Sequence, residues 1–252
     1  MPFVERDGVR IFYEAAGEGP PVLLSHGYSA TSRMWRGQVE ALAPRYRIIT
    51  WDMRGHGQSD SPDDPALYSE AATVGDMAAI LDALGIDTAV IGGLSLGGYM
   101  SLAFHLAHPG RVRALMLFDT GPGYRNPAGR EAWNRTAEAR AVAFETRGLD
   151  ALGSGAEVRI AQHRSAKGLA LAARGMLAQF DSRVIESLEG IRVPTLVLVG
   201  EKDEPFLGAT DYMAAKIPGA QKVVIPGAGH AANIDNPAAF NAAVEAFLAG
   251  LP

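Results

Sequence analysis

The run Ala89-Val90-Ile91-Gly92-Gly93-Leu94-Ser95-Leu96-Gly97-Gly98-Tyr99-Met100-Ser101-Leu102-Ala103-Phe104 decides how this chain reads. It opens as a short apolar stretch with β-branched residues, breaks at paired glycines and resumes as an apolar segment of helical length. That order is strand, tight turn, helix. A membrane span competes with it, because Thr88 to Gly110 holds no Asp, Glu, Lys or Arg and is long enough to cross a bilayer. Gly92, Gly93, Gly97 and Gly98, with two serines and two histidines in the same window, speak for the folded reading.

Outward from this unit the chain repeats the alternation. Val22–Leu24, Arg47–Trp51, Ala114–Phe118, Thr195–Val199 and Lys222–Ile225 are further short apolar runs ended by Gly, Asp or Ser, and read as buried parallel strands. Helical spacing lies between them. Trp35, Val39 and Leu42 recur at i, i+4, i+7; Thr73 and Asp76 predict a capping box ahead of Met77, Ile80, Leu81 and Leu84; Asn236-Pro237 opens a last helix. Phe3 to Glu14 alternates around Asp7-Gly8, which predicts an antiparallel hairpin on the sheet edge. Parallel strands need crossovers, so the expected fold is α/β: a mostly parallel, doubly wound sheet with helices on both faces and ligands beyond the carboxyl ends of the strands. The rhythm breaks between about Gly121 and Glu189. The expected organisation is therefore a core of residues 1–120 and 190–252, with a helical lid, 121–189, inserted after the sixth strand.

Composition sets the limits. The 252 residues are 48% apolar and 20% charged, as in an ordinary globular protein, and Gly (29) and Pro (15) are spread along the chain without marking a linker. The formal charge is −5 and Lys and Arg form no cluster, so neither nucleic acid nor anionic lipid is expected as a partner. Zero cysteines remove disulfides, thiolate zinc sites, iron–sulfur clusters and a cysteine nucleophile together. Met1 to Asp7 lacks the basic-then-apolar order of a signal peptide, which makes the cytoplasm the default location.

The turn itself carries chemistry. Gly93-Leu94-Ser95-Leu96-Gly97 fits Gly-x-Ser-x-Gly, which twelve serines and 29 glycines in 252 residues produce by chance roughly 0.16 times, so context has to carry the motif. A sharp strand-to-helix turn strains the central residue and pushes its hydroxyl out at the sheet edge, where small neighbours allow close approach. Such a serine needs a base within reach, and the base needs a third group to fix its tautomer. Of the six histidines, His230 is the best candidate, because it follows a strand end through the unencumbered Pro226-Gly227-Ala228-Gly229. His105 and His108 belong to the helix after Ser95, His163 to the lid, and His56 to a structural loop. Asp203, just past the strand ending at Val199, is the favoured acid over Asp119, which ends the strand before it. Asp52 and Asp60 read as turn hydrogen-bond formers. Backbone N–H groups of Leu96 and Tyr28 are the expected oxyanion donors, the second supplied by the loop Ser25-His26-Gly27-Tyr28.

Taken together, Ser25-His26-Gly27, Asp52-Met53-Arg54-Gly55-His56-Gly57-Gln58-Ser59, the turn at Ser95, Asp203 and Gly229-His230 give a pattern that resembles the α/β-hydrolase superfamily across essentially the whole chain. The resemblance implies a nucleophile at Ser95, a base at His230, an acid at Asp203 and oxyanion donors at Tyr28 and Leu96. The short lid and the tail from Ile217-Pro218 to Phe240 look like those of small bacterial esterases and 3-oxoadipate enol-lactonases. The expected activity is hydrolysis of a small carboxylic ester or lactone through an acyl-enzyme, with no metal and no cofactor. Cleavage of carbon–carbon bonds, acyl transfer to peroxide (a perhydrolase or haloperoxidase-type reaction) and a receptor-like ligand-binding role with the same triad stay open. Substrate-facing positions are expected at His26, Trp133, Phe144 and Phe180. The lid carries a net +2, which admits an anionic substrate but is better read as arginines on a solvated face.

Overall fold

The computed structural model describes residues 3–252, so Met1 and Pro2 of the leading segment lie outside the described residues. In chain order the strands are β1 (Phe3–Arg6), β2 (Val9–Ala16), β3 (Pro21–Ser25), β4 (Arg47–Trp51), β5 (Ala89–Leu94), β6 (Val112–Phe118), β7 (Thr195–Gly200) and β8 (Gln221–Ile225). The helices are α1 (Arg36–Leu42), α2 (Glu70–Ala83), α3 (Leu96–Ala107), α4 (Pro127–Arg147), α5 (Ala156–Arg159), α6 (Ala166–Ala172), α7 (Arg183–Ser187), α8 (Glu204–Lys216), α9 (Ala232–Asp235) and α10 (Pro237–Ala249).

One eight-stranded sheet runs β1-β2-β4-β3-β5-β6-β7-β8. The β1–β2 hairpin is antiparallel and joins antiparallel to β4, while every pairing from β4 to β8 is parallel. From β3 the chain goes first to β4 on one side and then to β5 on the other. The strand order therefore reverses between β3 and β5, where a crevice opens at the carboxyl ends of an α/β sheet.

Side chains of the central strands alternate between two cores, as the two-residue period of a strand requires. Leu23, Ile49, Ile91, Leu115 and Val197 face Met77, Ile80, Met100 and Phe104 of α2 and α3. Val22, Leu24, Ile48, Val90, Met116 and Leu196 face Trp35, Phe240 and Phe247 on the α1 and α10 side. Because both faces are covered, β5 is buried at all six positions, which is why it reads as a continuous apolar run.

Helix α2 starts earlier than its sequence suggests. Ser69 caps it, its Oγ accepting from Ala72 N at 3.0 Å, while Thr73 Oγ1 donates to the Ser69 carbonyl at 2.9 Å. Asp76, expected in a capping box, is instead buried as the bidentate partner of Arg54, at 2.6 and 2.7 Å. A buried guanidinium needs a carboxylate more than a helix start with its own serine does. Helices α4 to α7 fall between β6 and β7. Among the described residues no helix is long and apolar enough to cross a membrane.

Candidate active site

Ser95 sits between β5 and α3 with φ 55° and ψ −116°, outside the regions open to an unstrained L-residue. Two neighbours explain how the turn closes. A Cβ on Gly97 would stand 2.2 Å from the Ser25 carbonyl oxygen, and one on Gly93 would stand 2.5 Å from the Gly97 carbonyl carbon. Only glycine permits that approach. The Ser95 N–H donates to Phe118 O at 2.9 Å and its carbonyl accepts from Thr120 Oγ1 at 2.6 Å, so β6 braces the strained residue from the side.

The loop after β3 lies directly against it. A Cβ on Gly27 would be 3.4 Å from Ser95 Cβ, which brings the Tyr28 backbone to the nucleophile's side of the crevice. Three neutral histidines fix this loop. The His26 Nδ1–H donates to Gly27 O at 2.7 Å while Nε2 accepts from Met53 N at 2.9 Å. Ser29 N donates to His56 Nε2 at 3.2 Å, the His56 Nδ1–H donates to Arg54 O at 3.0 Å, and Ser29 O accepts from His163 Nε2 at 2.9 Å. His163 Nδ1 in turn accepts from Gly57 N at 3.2 Å. Each ring donates once and accepts once, which requires the uncharged form. Burial pushes all three below the ordinary imidazole value, His26 to about 4.

On the other side of β6, His230 Nδ1 donates to Asp203 Oδ2 at 2.9 Å, and the imidazole stacks on Phe206 with ring centroids 5.0 Å apart. Phe206 and Ser95 share the walls of one cavity. No hydrogen bond joins Ser95 to His230 among the described residues. Such contacts are often loose before substrate binds. No backbone carbonyl takes the N–H of Leu96 or Tyr28 among the described residues, which leaves both donors for a ligand oxygen.

Asp119, the rival acid, has a different position. It is fully buried, with φ 46°, and its Oδ1 accepts from Gly200 N at 2.7 Å, while no donor points at Oδ2. Burial, with the Asp203 carboxylate beside it, pushes the Asp119 carboxyl up to about 9. It is therefore neutral near pH 7, and among the described residues the His230 imidazole bonds to Asp203 and not to it.

The model of the alpha/beta hydrolase fold family matches residues 20–167. The chain belongs to that family. It is 33% identical over 242 residues to the 3-oxoadipate enol-lactonase 1 of Acinetobacter baylyi, covering 88% of this chain and 85% of that protein. Among solved structures it superposes on the enol-lactonase from Burkholderia xenovorans LB400 with a TM-score of 0.85 and 28% identity, covering 98% of this chain and 100% of the other. A thermophilic esterase from Thermogutta terrifontis gives 0.83 and 31% identity, with 99% and 97% covered. The protein is a hydrolase that resembles small bacterial esterases and enol-lactonases.

Within this hydrolase the other sequence expectations divide. Trp133 lines the cavity beside Ser95. His26 does not, since both its nitrogens serve the loop backbone. Phe144 is buried against the Tyr28 ring inside the helical layer, and Phe180 is 71% exposed. Neither is part of the wall, because α4 and the segment after α6 turn those faces away from the cavity. Asp52 holds turn amides, accepting from Ser32 N and Gln58 N at 2.7 and 2.8 Å. Asp60 reaches instead to Arg10 on β2. No arginine of 121–189 lines the cavity; Arg174 pairs with Glu138 and Glu145, and Arg183 with Asp181. Sequence reading missed Thr120, Phe206 and Gln179; the first two follow strand ends and could have been found there, but nothing in the pattern marks Gln179. No group of three or more His, Asp or Glu side chains among the described residues could hold a metal ion.

Proposed function

We propose that the protein hydrolyses small carboxylic esters or lactones through an acyl-enzyme on Ser95. The observation that carries this is the strained serine opening into a cavity whose wall, Phe206, stacks on an imidazole already bonded to Asp203. Ser95 Oγ attacks the substrate carbonyl carbon as His230 Nε2 takes its proton. The carbonyl π pair moves onto oxygen, where the N–H groups of Tyr28 and Leu96 hold it. The C–O bond to the leaving alcohol breaks as His230 returns the proton to that oxygen. Water then repeats the sequence on the acyl-enzyme, restoring the serine hydroxyl and releasing the acid. Asp203 fixes the tautomer with the proton on Nδ1, leaving Nε2 free to accept, and stabilises the imidazolium in each half. In a lactone both products stay in one molecule. Helices between 121 and 189 serve as the lid that closes the acyl side of the cavity.

Labelling with a fluorophosphonate tests the reading. One adduct on the Ser95 peptide, with loss of both labelling and p-nitrophenyl acetate turnover in a folded Ser95→Ala variant, is expected. Turnover retained in that variant, or an unreactive Ser95 in folded wild type, overturns it. The relatives named as a lactonase and an esterase support a matched panel of lactones and open esters as the first substrates to try.

A further inference from the structure

The cavity beside Ser95 has a wall with no charged side chain: no Asp, Glu, Lys, Arg or His lines it. Most of its polar groups are already spent on the protein. Trp133 Nε1 donates to Leu177 O at 2.8 Å, Tyr99 Oη to Glu70 Oε2 at 2.8 Å, and Thr120 Oγ1 to the Ser95 carbonyl at 2.6 Å. Gln179 is different. Its side chain lines the same cavity and the residue is 9% exposed, yet its carboxamide makes no hydrogen bond among the described residues and Oε1 is buried without a partner.

The backbone there is held firmly. Asn134 on α4 clamps residue 179 at both ends, Nδ2 donating to Gln179 O at 2.7 Å and Oδ1 accepting from Gln179 N at 2.8 Å. The amide rests over Gly123, whose φ is +89° and where a Cβ would stand 2.8 Å from Oε1. A carboxamide fixed this way costs stability while it is unbonded, and a ligand that bonds it removes that cost. The unpartnered Oε1 is an uncharged acceptor with the carboxamide NH2 beside it, matched by a ligand amide N–H or hydroxyl. A carboxylate brought into the same space would lose its hydration with no cation to meet it.

We propose that Gln179 is a specificity-determining residue for an uncharged ester or lactone whose acyl part is mainly apolar and carries one amide or hydroxyl group away from the scissile carbonyl. This rests on the assignment of Ser95 as nucleophile. Aromatic and aliphatic walls take the carbon chain, Gln179 takes the polar group, and substrates with a free carboxylate are excluded.

The test uses the whole 252-residue chain and matched p-nitrophenyl esters. N-acetyl-β-alanyl and N-acetyl-4-aminobutyryl esters are compared with hexanoate and heptanoate, their chain-length equivalents without the amide, in wild type, Gln179→Leu and Gln179→Met. The readout is the ratio of kcat/KM for the amide ester to that for its hydrocarbon twin, which cancels any change common to both. Wild type is expected to lose about tenfold to 100-fold of this ratio in either variant for at least one spacer length, because a site built around a hydrogen bond loses discrimination when its partner group is removed. The mono-p-nitrophenyl ester of glutaric acid is expected to be cleaved about 100-fold less efficiently than its methyl diester, a penalty that Gln179→Arg reduces. A ratio unchanged in both variants at both spacer lengths, or equal cleavage of the glutarate monoanion and its methyl diester, overturns the proposal while leaving the Ser95 assignment intact. Failure of that assignment is seen separately, as no turnover of any ester and no fluorophosphonate adduct.

Discussion

Replacing Asp119 with Asn isolates the effect of a buried neutral carboxyl on pH stability. In the folded protein burial raises this carboxyl from 3.8 to about 9, whereas in the unfolded chain it returns to its ordinary value. Between these limits the native state holds a proton that the unfolded state releases, so the contribution is complete at low pH and is lost as pH rises. The slope is about 1.4 kcal/mol per pH unit, or about 4 kcal/mol between pH 5.5 and 8.5. Asn keeps an acceptor for Gly200 N, and it does not titrate. The variant should therefore gain on wild type steadily as pH rises, whatever fixed cost the substitution adds. For a chain of this length about 1 kcal/mol moves Tm by 2–4 °C, so the gap between the two melting curves should widen by on the order of 10 °C across that range. Scanning both proteins by calorimetry at half-unit steps from pH 5 to 9 measures it. Parallel Tm curves would mean that Asp119 carries the same charge folded and unfolded, and the picture of a neutral acid behind Asp203 would be wrong.

Asp203→Asn should lower kcat by about 10⁴ by presenting the wrong imidazole tautomer, with little change in Tm, while Asp119→Asn should cost less than about tenfold; greater damage from the latter would make Asp119 the orienting acid. Asp76→Ala leaves the buried Arg54 guanidinium without its bidentate partner and should destabilise by about 3–5 kcal/mol in denaturant titration, more than the double change Arg54→Met with Asp76→Leu. His26, His56 and His163 are held below 6.5 in the native state, so their contribution is present above that value and is lost as pH falls toward about 4. Near-UV dichroism and esterase activity should fall together in that interval, and substituting His163 with Gln should flatten the acid limb; a limb unchanged by that substitution would assign the loss to other groups.

The parallel strands were legible because a sheet covered on both faces admits little but apolar residues, as at 195–199 and 114–118, although β6 starts two residues earlier than that run, at Val112. The positions of Ser95, Asp203 and His230 were legible for a related reason: each follows a strand end, and the sheet aligns strand ends along one crevice. What lines the cavity was less so. Trp133 and Phe144 both sit on α4, and which of them meets the substrate space depends on how that helix is rotated against the core. Burial alone does not distinguish them. Gln179 is set by Asn134, 45 residues earlier, a contact with no periodicity to announce it. The cap of α2 was misplaced because Thr73 and Asp76 satisfy a local motif that the long-range demand of Arg54 overrides.

His163 comes from the chain between β6 and β7, yet its imidazole bridges Ser29, after β3, and Gly57, after β4. Anyone replacing the helices between β6 and β7, or trimming them to widen the mouth of the cavity, would remove that ring along with them. The Ser29 carbonyl, one residue from the backbone expected to receive the oxyanion, and the Gly57 amide would then lose the ring that ties them together. A chimera that retains the stretch around residue 163 as part of its base inherits the loop in working order, and one that discards it must rebuild the bridge.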